Sequence, residues 1–327
     1  MDDSRNLLFI DAVNYLTPLK GVVYQGRFVR AFLPNLSLSI FKMENLKTDV
    51  FWSHVDGTLV INMDDRPDRW ETVDATLQQL IPEGKYERFS AVNGRALNGY
   101  GERPWFRGRK KDFRWAGRAG CTLSHRKALE AGLKKGWGTF LLLEDDIALR
   151  EVSDDYLARL GEQLFEKHTD WDMCYLGYTT PRGPAKTVIS IDSDSDLCRI
   201  RGARTTHAYL IKESLARWLV QKLPDETNVW SWCASKRIID RWYSRHISFK
   251  FKILCTDPSF IIQAPSFSDL VGKQAVDWDN SDMVCDIPTA VKDPSLFWFR
   301  WWFSGFCCRI YHSYDMFRGW IKHLKGF

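Results

Sequence analysis

The 327-residue sequence predicts an α/β protein, a sheet of short strands covered by helices on both faces, and two observations carry that expectation. Short β-rich runs alternate with helix-period segments from about residue 57 to 263, the order produced when covering helices connect the strands of one sheet. Hydrophobic residues make up 45% of the chain and aromatics 14%, enough for a substantial core and too many for a disordered polymer.

The elements follow in order. Residues 1–56 read as a mixed N-terminal extension without a usable motif. "GTLVINMDDRPDRW" begins the regular pattern: Thr58 to Met63 is a strand, DDRPD a polar turn, and a helix runs from about Arg66 to Leu80. "YERFSAV" (86–92) is the next strand, closed by the turn signal Asn93-Gly94. The glycine-rich, basic stretch 98–120 reads as a loop, followed by a helix over 121–136. "TFLLLEDD" is a strand over 139–143 running into three carboxylates. A helix over 153–167 with Ser153 as N-cap follows, then strands near 172–178 and 206–211 around a hairpin at 186–201. Helices at 212–222 and 230–245, a strand near 249–255 and the segment 258–263 complete the domain, expected over 57–285.

A formal charge of +5 admits an anionic ligand or membrane surface and selects neither. Eight scattered cysteines without a CxxC pair disfavour a zinc ribbon and suit buried thiols in a reducing compartment. The start MDDSRNLLFIDAVNYL lacks the positive region of a secretory signal, and no uncharged run reaches 18 residues. A cytoplasmic protein is the expectation.

Three features carry chemistry. The strand ending in Glu144, Asp145 and Asp146 delivers carboxylates to the edge where α/β folds bind ligands, and such hard oxygens suit Mn²⁺ or Mg²⁺ beside a diphosphate; a solvated turn explains the triplet alone equally well. "VINMDDRPDRW" sets Asn62, Arg66 and Arg69 between a strand end and a helix start, a place where phosphate is attracted. "GRAGCTLSHRKALE" joins Gly117 and Gly120 to Ser124, His125 and Lys127. Ser124 and His125 are adjacent and point apart, so they give no hydrolase dyad.

Taken together, "VINMDDRPDR", "AVNG" (91–94), "GCTLSHRKALE" (120–130) and "LLLEDD" (141–146) resemble glycosyltransferase family 25, whose members include lipooligosaccharide and procollagen galactosyltransferases. The resemblance implies a GT-A-type, Rossmann-like sheet that binds a nucleotide sugar, commonly UDP-galactose, with a divalent metal and inversion at the anomeric carbon. It implies Asp146 as the foremost metal ligand, with Glu144 near the ion or the ribose and Asp145 in the same donor site. Asn62, Arg66 and Arg69 would line the nucleotide side, and Ser124 and His125 would support the donor pocket. "TTHAYLI" (205–211) matches a family strand. For the general base Asp240 is favoured, with Asp225 and Glu226 still open. Gln263 and Ser268 are expected near the site.

Residues 286–327 form a separate aromatic and basic tail. Its density of Trp, Tyr and Phe, interrupted by Arg and Lys, fits a segment lying on a membrane surface, while a helix pair packed on the domain is the plainer reading. The function expected from all this is metal-dependent hexosyl transfer to a lipopolysaccharide or other lipid-linked glycan at the cytoplasmic membrane face, without nucleic acid. A procollagen-type hydroxylysine galactosyltransferase and a catalytically silent membrane-bound scaffold are the rivals.

Overall fold

The computed structural model describes residues 50–108, 112–153, 155–264 and 285–325, with the backbone of 267–268 and 273–274. Residues 1–49, most of the expected extension, lie outside this description. The short helix α1 (Val50–Ser53) precedes β1 (Gly57–Asn62), α2 (Pro67–Leu80) and β2 (Tyr86–Ser90). Helix α3 (Phe113–Lys134) leads to β3 (Thr139–Glu144) and β4 (Ile147–Leu149), then α4 (Tyr156–Gly161), which continues as a π-helical turn over Glu162–Lys167. Next come β5 (Met173–Gly177), β6 (Thr180–Pro181), β7 (Lys186–Ser190), β8 (Asp196–Ile200), β9 (Ala203–Arg204) and β10 (Ala208–Lys212). Helices α5 (Glu213–Lys222), α6 (Val229–Lys236) and α7 (Ile239–His246) precede β11 (Ile253–Asp257) and β12 (Ile261–Gln263). After the small backbone pairing of β13 (Phe267–Ser268) with β14 (Lys273–Gln274), the chain ends in α8 (Thr289–Lys292) and the long α9 (Phe297–Leu324).

Eight strands form one mixed sheet in the order β2-β1-β3-β10-β5-β11-β8-β7. Successive strand residues point to opposite faces, and both faces are dry. Val60, Leu141, Leu143 and Leu210 pack with α1, α2 and α4, whereas Leu59, Phe140, Leu142 and Tyr209 pack with α3, α5 and α7. That double burial is why "FLLL" carries no polar alternation. Replacing Leu141 or Leu142, each fully buried, by Ala would cost about 2–5 kcal/mol.

The core starts ahead of Gly57, because Phe51, Trp52 and Val55 are buried in it. Three local readings differ from the structure. Stretch 98–120 is not all loop, since α3 begins at Phe113; its Gly117 and Gly120 sit on a helix that approaches backbone closely, and their composition imitates a loop. Ser153 does not cap α4, which starts at Tyr156 and has Asp155 at its N-cap position. The single helix expected over 230–245 is two, α6 and α7, broken at Arg237 with φ 78°.

Strand direction positions the site. β1 and β3 run parallel, so Asn62 and Glu144 reach the same edge of the sheet. β10 runs antiparallel to β3 with Ala208 opposite Leu143, so the residues before it, Thr206 and His207, arrive at that edge from their amino side.

Candidate active site

At this edge the three carboxylates meet different surroundings. Asp145 is tied on both oxygens: Asn62 Nδ2 donates to Oδ2 at 2.7 Å and Arg69 to Oδ1 at 2.9 Å. Asn62 is itself fully engaged, its Nδ2 also reaching the Arg66 carbonyl at 3.1 Å and its Oδ1 accepting from Arg88 Nε at 2.7 Å. Burial raises the Asp145 carboxyl above its ordinary value, more than Arg69 and Asn62 lower it.

Glu144 faces the helix. Its Oε1 accepts from Thr206 Oγ1 at 2.9 Å and from His125 Nε2 at 3.2 Å. His125 Nδ1 meets the Tyr209 hydroxyl at 2.9 Å, so both ring nitrogens are engaged. Burial alone would raise Glu144; the hydrogen bonds from His125 and Thr206, with the nearby imidazoles, bring its carboxyl below the ordinary value.

Asp146 is the open one. β4 pairs antiparallel with β12, setting Gln263 opposite Ile147, and Gln263 Nε2 donates to Asp146 Oδ2 at 2.8 Å. Oδ1 is buried and has no hydrogen-bond partner among the described residues. Burial, then the Glu144 charge, push the Asp146 carboxyl up to about 7.

A cavity of about 290 Å³ lies over these groups. One wall is α3 and the 91–94 loop, held together by close backbone approach. A Cβ on Gly120 would lie 2.5 Å from the Val92 carbonyl oxygen, and one on Gly94 would lie 1.8 Å from the Ala116 oxygen. Ser124 clips the same contact, accepting from the Val92 amide at 2.8 Å and donating to the Gly120 carbonyl at 2.7 Å. Arg66 and Arg69 line the opposite side, with Arg66 also paired to Asp68 at 2.8 Å.

Of the residues predicted from sequence, Arg66, Arg69, Ser124, His125, Glu144, Asp145, Asp146 and Gln263 all line this cavity, and Asn62 stands behind it as a strut. Asp240 does not line it. It sits in the first turn of α7, accepts from the Thr205 amide at 3.3 Å, and is close enough for its charge to raise the Cys121 thiol on the cavity wall. Asp225 and Glu226 are half-exposed and face Arg126 and Lys127. The Ser268 side chain lies outside the described residues.

A divalent cation fits one observation well: the buried, unpartnered oxygen of Asp146 is a hard ligand beside a second carboxylate. Cys121, His125 and Glu144 also bring three ligand atoms within 4.8 Å of one another. Both His125 nitrogens are engaged, however, and burial pushes the Cys121 thiol far up, so that trio is closed by hydrogen bonds. A second acidic group, Asp196 with Cys198 and Asp257, is bridged by the Lys292 ammonium, which contacts both carboxylates.

Residues that sequence reasoning passed over include Arg88, which braces Asn62, and Tyr209, which orients His125. Arg88 had a signal, being a charged residue inside a short strand. Tyr209 had none, as an aromatic in an apolar strand reads as core.

Residues 55–229, a little over half of the chain, match the sequence pattern of glycosyltransferase family 25 (LPS biosynthesis protein). Inactive glycosyltransferase 25 family member 3 of Homo sapiens is 30% identical over 133 residues, covering 37% of this chain and 22% of that protein. The protein named probable inactive glycosyltransferase 25 family member 3 of Bos taurus is 29% identical over the same shares. The chain therefore spans about a fifth of the length of these relatives. Among solved structures, a protein from STIV aligns with TM-score 0.30 at 14% identity, over 63% of this chain and 82% of that one. Mannose-1-phosphate geranyltransferase from Thermus thermophilus aligns with TM-score 0.28 at 10% identity, over 61% and 73%. Neither score bears on the fold.

Proposed function

The chain belongs to glycosyltransferase family 25, and from that premise we propose that it transfers a hexose, galactose from UDP-galactose, to a hydroxyl of a lipopolysaccharide or other lipid-linked glycan. Transfer is metal-dependent and inverts the anomeric centre. The observation that carries this reading is Asp146, a half-buried carboxylate whose buried Oδ1 has no partner among the described residues, at the floor of a cavity lined by arginines. A folded protein leaves a buried charge-bearing oxygen unpaired only at a cost, and a cation offsets it.

Asp146 holds the metal, with Glu144 beside it. When bound, Mn²⁺ or Mg²⁺ neutralises charge on the leaving diphosphate. Arg66 and Arg69 face the phosphates as planar donors. Asn62 and Arg69 fix Asp145, and so fix the turn that aims Asp146. His125 and Thr206 hold Glu144 ionised. The acceptor hydroxyl loses its proton as the new C1–O bond forms and the C1–O bond to the diphosphate breaks, and Asp240, the base favoured from sequence, lies outside the cavity that would hold the donor.

A UDP-sugar hydrolysis and transfer panel, with and without Mn²⁺, tests the reading. One UDP-hexose should be consumed only with metal, and Asp146→Asn should lower the rate roughly a hundredfold or more. If the panel shows neither consumption nor binding of any nucleotide sugar, the reading fails. A catalytically silent donor-binding protein is the second reading, favoured by the word "inactive" in the relatives' names; donor binding without turnover by the native chain would identify it.

A further inference from the structure

Helix α9 is 28 residues long, roughly 42 Å at the α-helical rise, and its amphipathicity is inverted. Beyond Phe297 at its start, the buried residues of α9 are polar or small. Asp315, 3% exposed, accepts from Arg237 at 2.6 Å and from Arg245. Arg201 donates to Ser304 Oγ at 2.6 Å and to the Trp301 carbonyl, and Arg318 to the Ala234 carbonyl at 3.2 Å. Gly319 lies so close to α6 that a Cβ would be 2.4 Å from Ser235 Oγ.

The outward face is the apolar one. Twelve large apolar side chains of α9 are at least 42% exposed, among them Trp298, Trp302, Phe306, Phe317 and Trp320. A soluble surface rarely leaves so much apolar area uncovered, and such patches mark a partner. The cations discriminate between partners. Arg300 and Arg309 punctuate the helix and the exposed Lys325 follows it, Lys322 packs over the Trp115 ring, and the helix's single acid, Asp315, is buried. Two copies packed through this face would bring its flanking cations together, whereas an anionic lipid surface complements them. Lys186 and Arg199 also sit over Trp298 at 5.8 and 5.7 Å, so cations adjoin the aromatics. Among the described residues no helix is long and apolar enough to cross a membrane.

We propose that α9 lies in the plane of an anionic bilayer, its Trp and Phe side chains seated at the headgroup–acyl boundary and its Arg and Lys on anionic headgroups. The polar inner face is the docking face to the protein, so membrane contact requires no rearrangement of the fold. The inference stands on α9 alone and does not depend on the transfer reading.

Flotation of the full chain with vesicles of phosphatidylcholine, with or without 30% phosphatidylserine, tests it. The chain should float with the anionic vesicles, with Trp fluorescence shifted to the blue, and about tenfold less in 0.5 M NaCl. The Trp302→Glu/Phe306→Glu variant should lose binding about tenfold or more, and Phe299→Ser/Phe303→Ser should weaken it without adding charge. Gln79→Glu, on the exposed face of α2, should bind like the native chain. Circular dichroism and melting temperature establish that each variant is folded. Absence of binding to anionic vesicles, or unchanged binding by both folded α9 variants, overturns the proposal. A concentration-dependent dimer that both α9 variants dissolve, without vesicle binding, would assign the face to a second copy instead.

Discussion

Both oxygens of Asp145 are occupied by Asn62 and Arg69, while among the described residues Asp146 accepts a side-chain hydrogen bond through Oδ2 alone. Adjacent residues of one chemistry therefore have opposite uses, and their substitutions should separate. Removing Asp145 strips a buried pair from Arg69 and Asn62, so Asp145→Ala should destabilise the chain by about 2–4 kcal/mol in urea melts. Asp146 has the reverse sign. Its folded carboxyl titrates near 7 against an ordinary 3.8, so the metal-free fold binds the proton more tightly than the unfolded chain does. Stability is then lost as pH rises from about 4 to 7. Asp146→Asn should raise the melting temperature of the metal-free chain at pH 8 by roughly 2–6 °C and leave it nearly unchanged at pH 4. Mn²⁺ should bind the native chain more tightly at pH 8 than at pH 6, because the ligand must shed its proton; calorimetric titration at the two pH values decides it. The acidic triplet was legible in the sequence as a candidate metal site, but its division of labour was not. The groups that differentiate the carboxylates, Asn62 and Gln263, lie 83 and 117 residues away along the chain.

The same limit appears among the elements. Strands β1, β3, β5 and β10 were legible because apolar runs bounded by turns are local signals. The start of α3 was not, because Gly120 and the Ala116 backbone serve a contact with the 91–94 loop that no local pattern reveals. That contact predicts an order of harm: Gly94→Ala and Gly120→Ala both press a methyl group into backbone at 1.8 and 2.5 Å, where no flexible side chain can yield. Each should cost about 1–3 kcal/mol or more and weaken donor binding, with Gly94→Ala the worse. The tail, expected as a segment lying on a membrane or a helix pair packed on the domain, comprises the short α8 and the long α9, and α9 docks largely through charges. Burial works against the Asp315 carboxylate, yet Arg237 and Arg245 outweigh it and hold the carboxyl below its ordinary value. The docking is therefore intact above about pH 4 and lost as pH falls below it. Amide exchange across 297–324 should quicken at pH 3 before the sheet opens. Asp315→Asn should reproduce the effect at pH 7, at about 1–3 kcal/mol, since both arginines are partly exposed.

Across the whole molecule, α9 and the cavity share a border. The end of α9 reaches the segments that shape the cavity wall, with His323 against Trp105 at 5.1 Å between ring centroids and the Lys322 ammonium 4.5 Å from the Trp115 ring centroid, on the α3 that also supplies Ala116 and Gly117 to the wall. A chain lying on lipid through α9 would hold this wall near the surface, where a lipid-linked saccharide is presented. Confinement to the surface raises the local concentration of such an acceptor without changing any contact to it. The two readings then make a joint prediction that neither makes alone. Trp302→Glu/Phe306→Glu lies outside the cavity and should leave hydrolysis of the UDP-hexose in solution unchanged. The same variant should lower transfer to a lipid-linked saccharide embedded in anionic vesicles by about tenfold, as its surface partitioning falls. Transfer to a detergent-dispersed form of that acceptor should be equal for the two proteins. Equal vesicle rates would mean that α9 has no part in reaching the acceptor, and a parallel loss of hydrolysis would place the defect in the donor site instead.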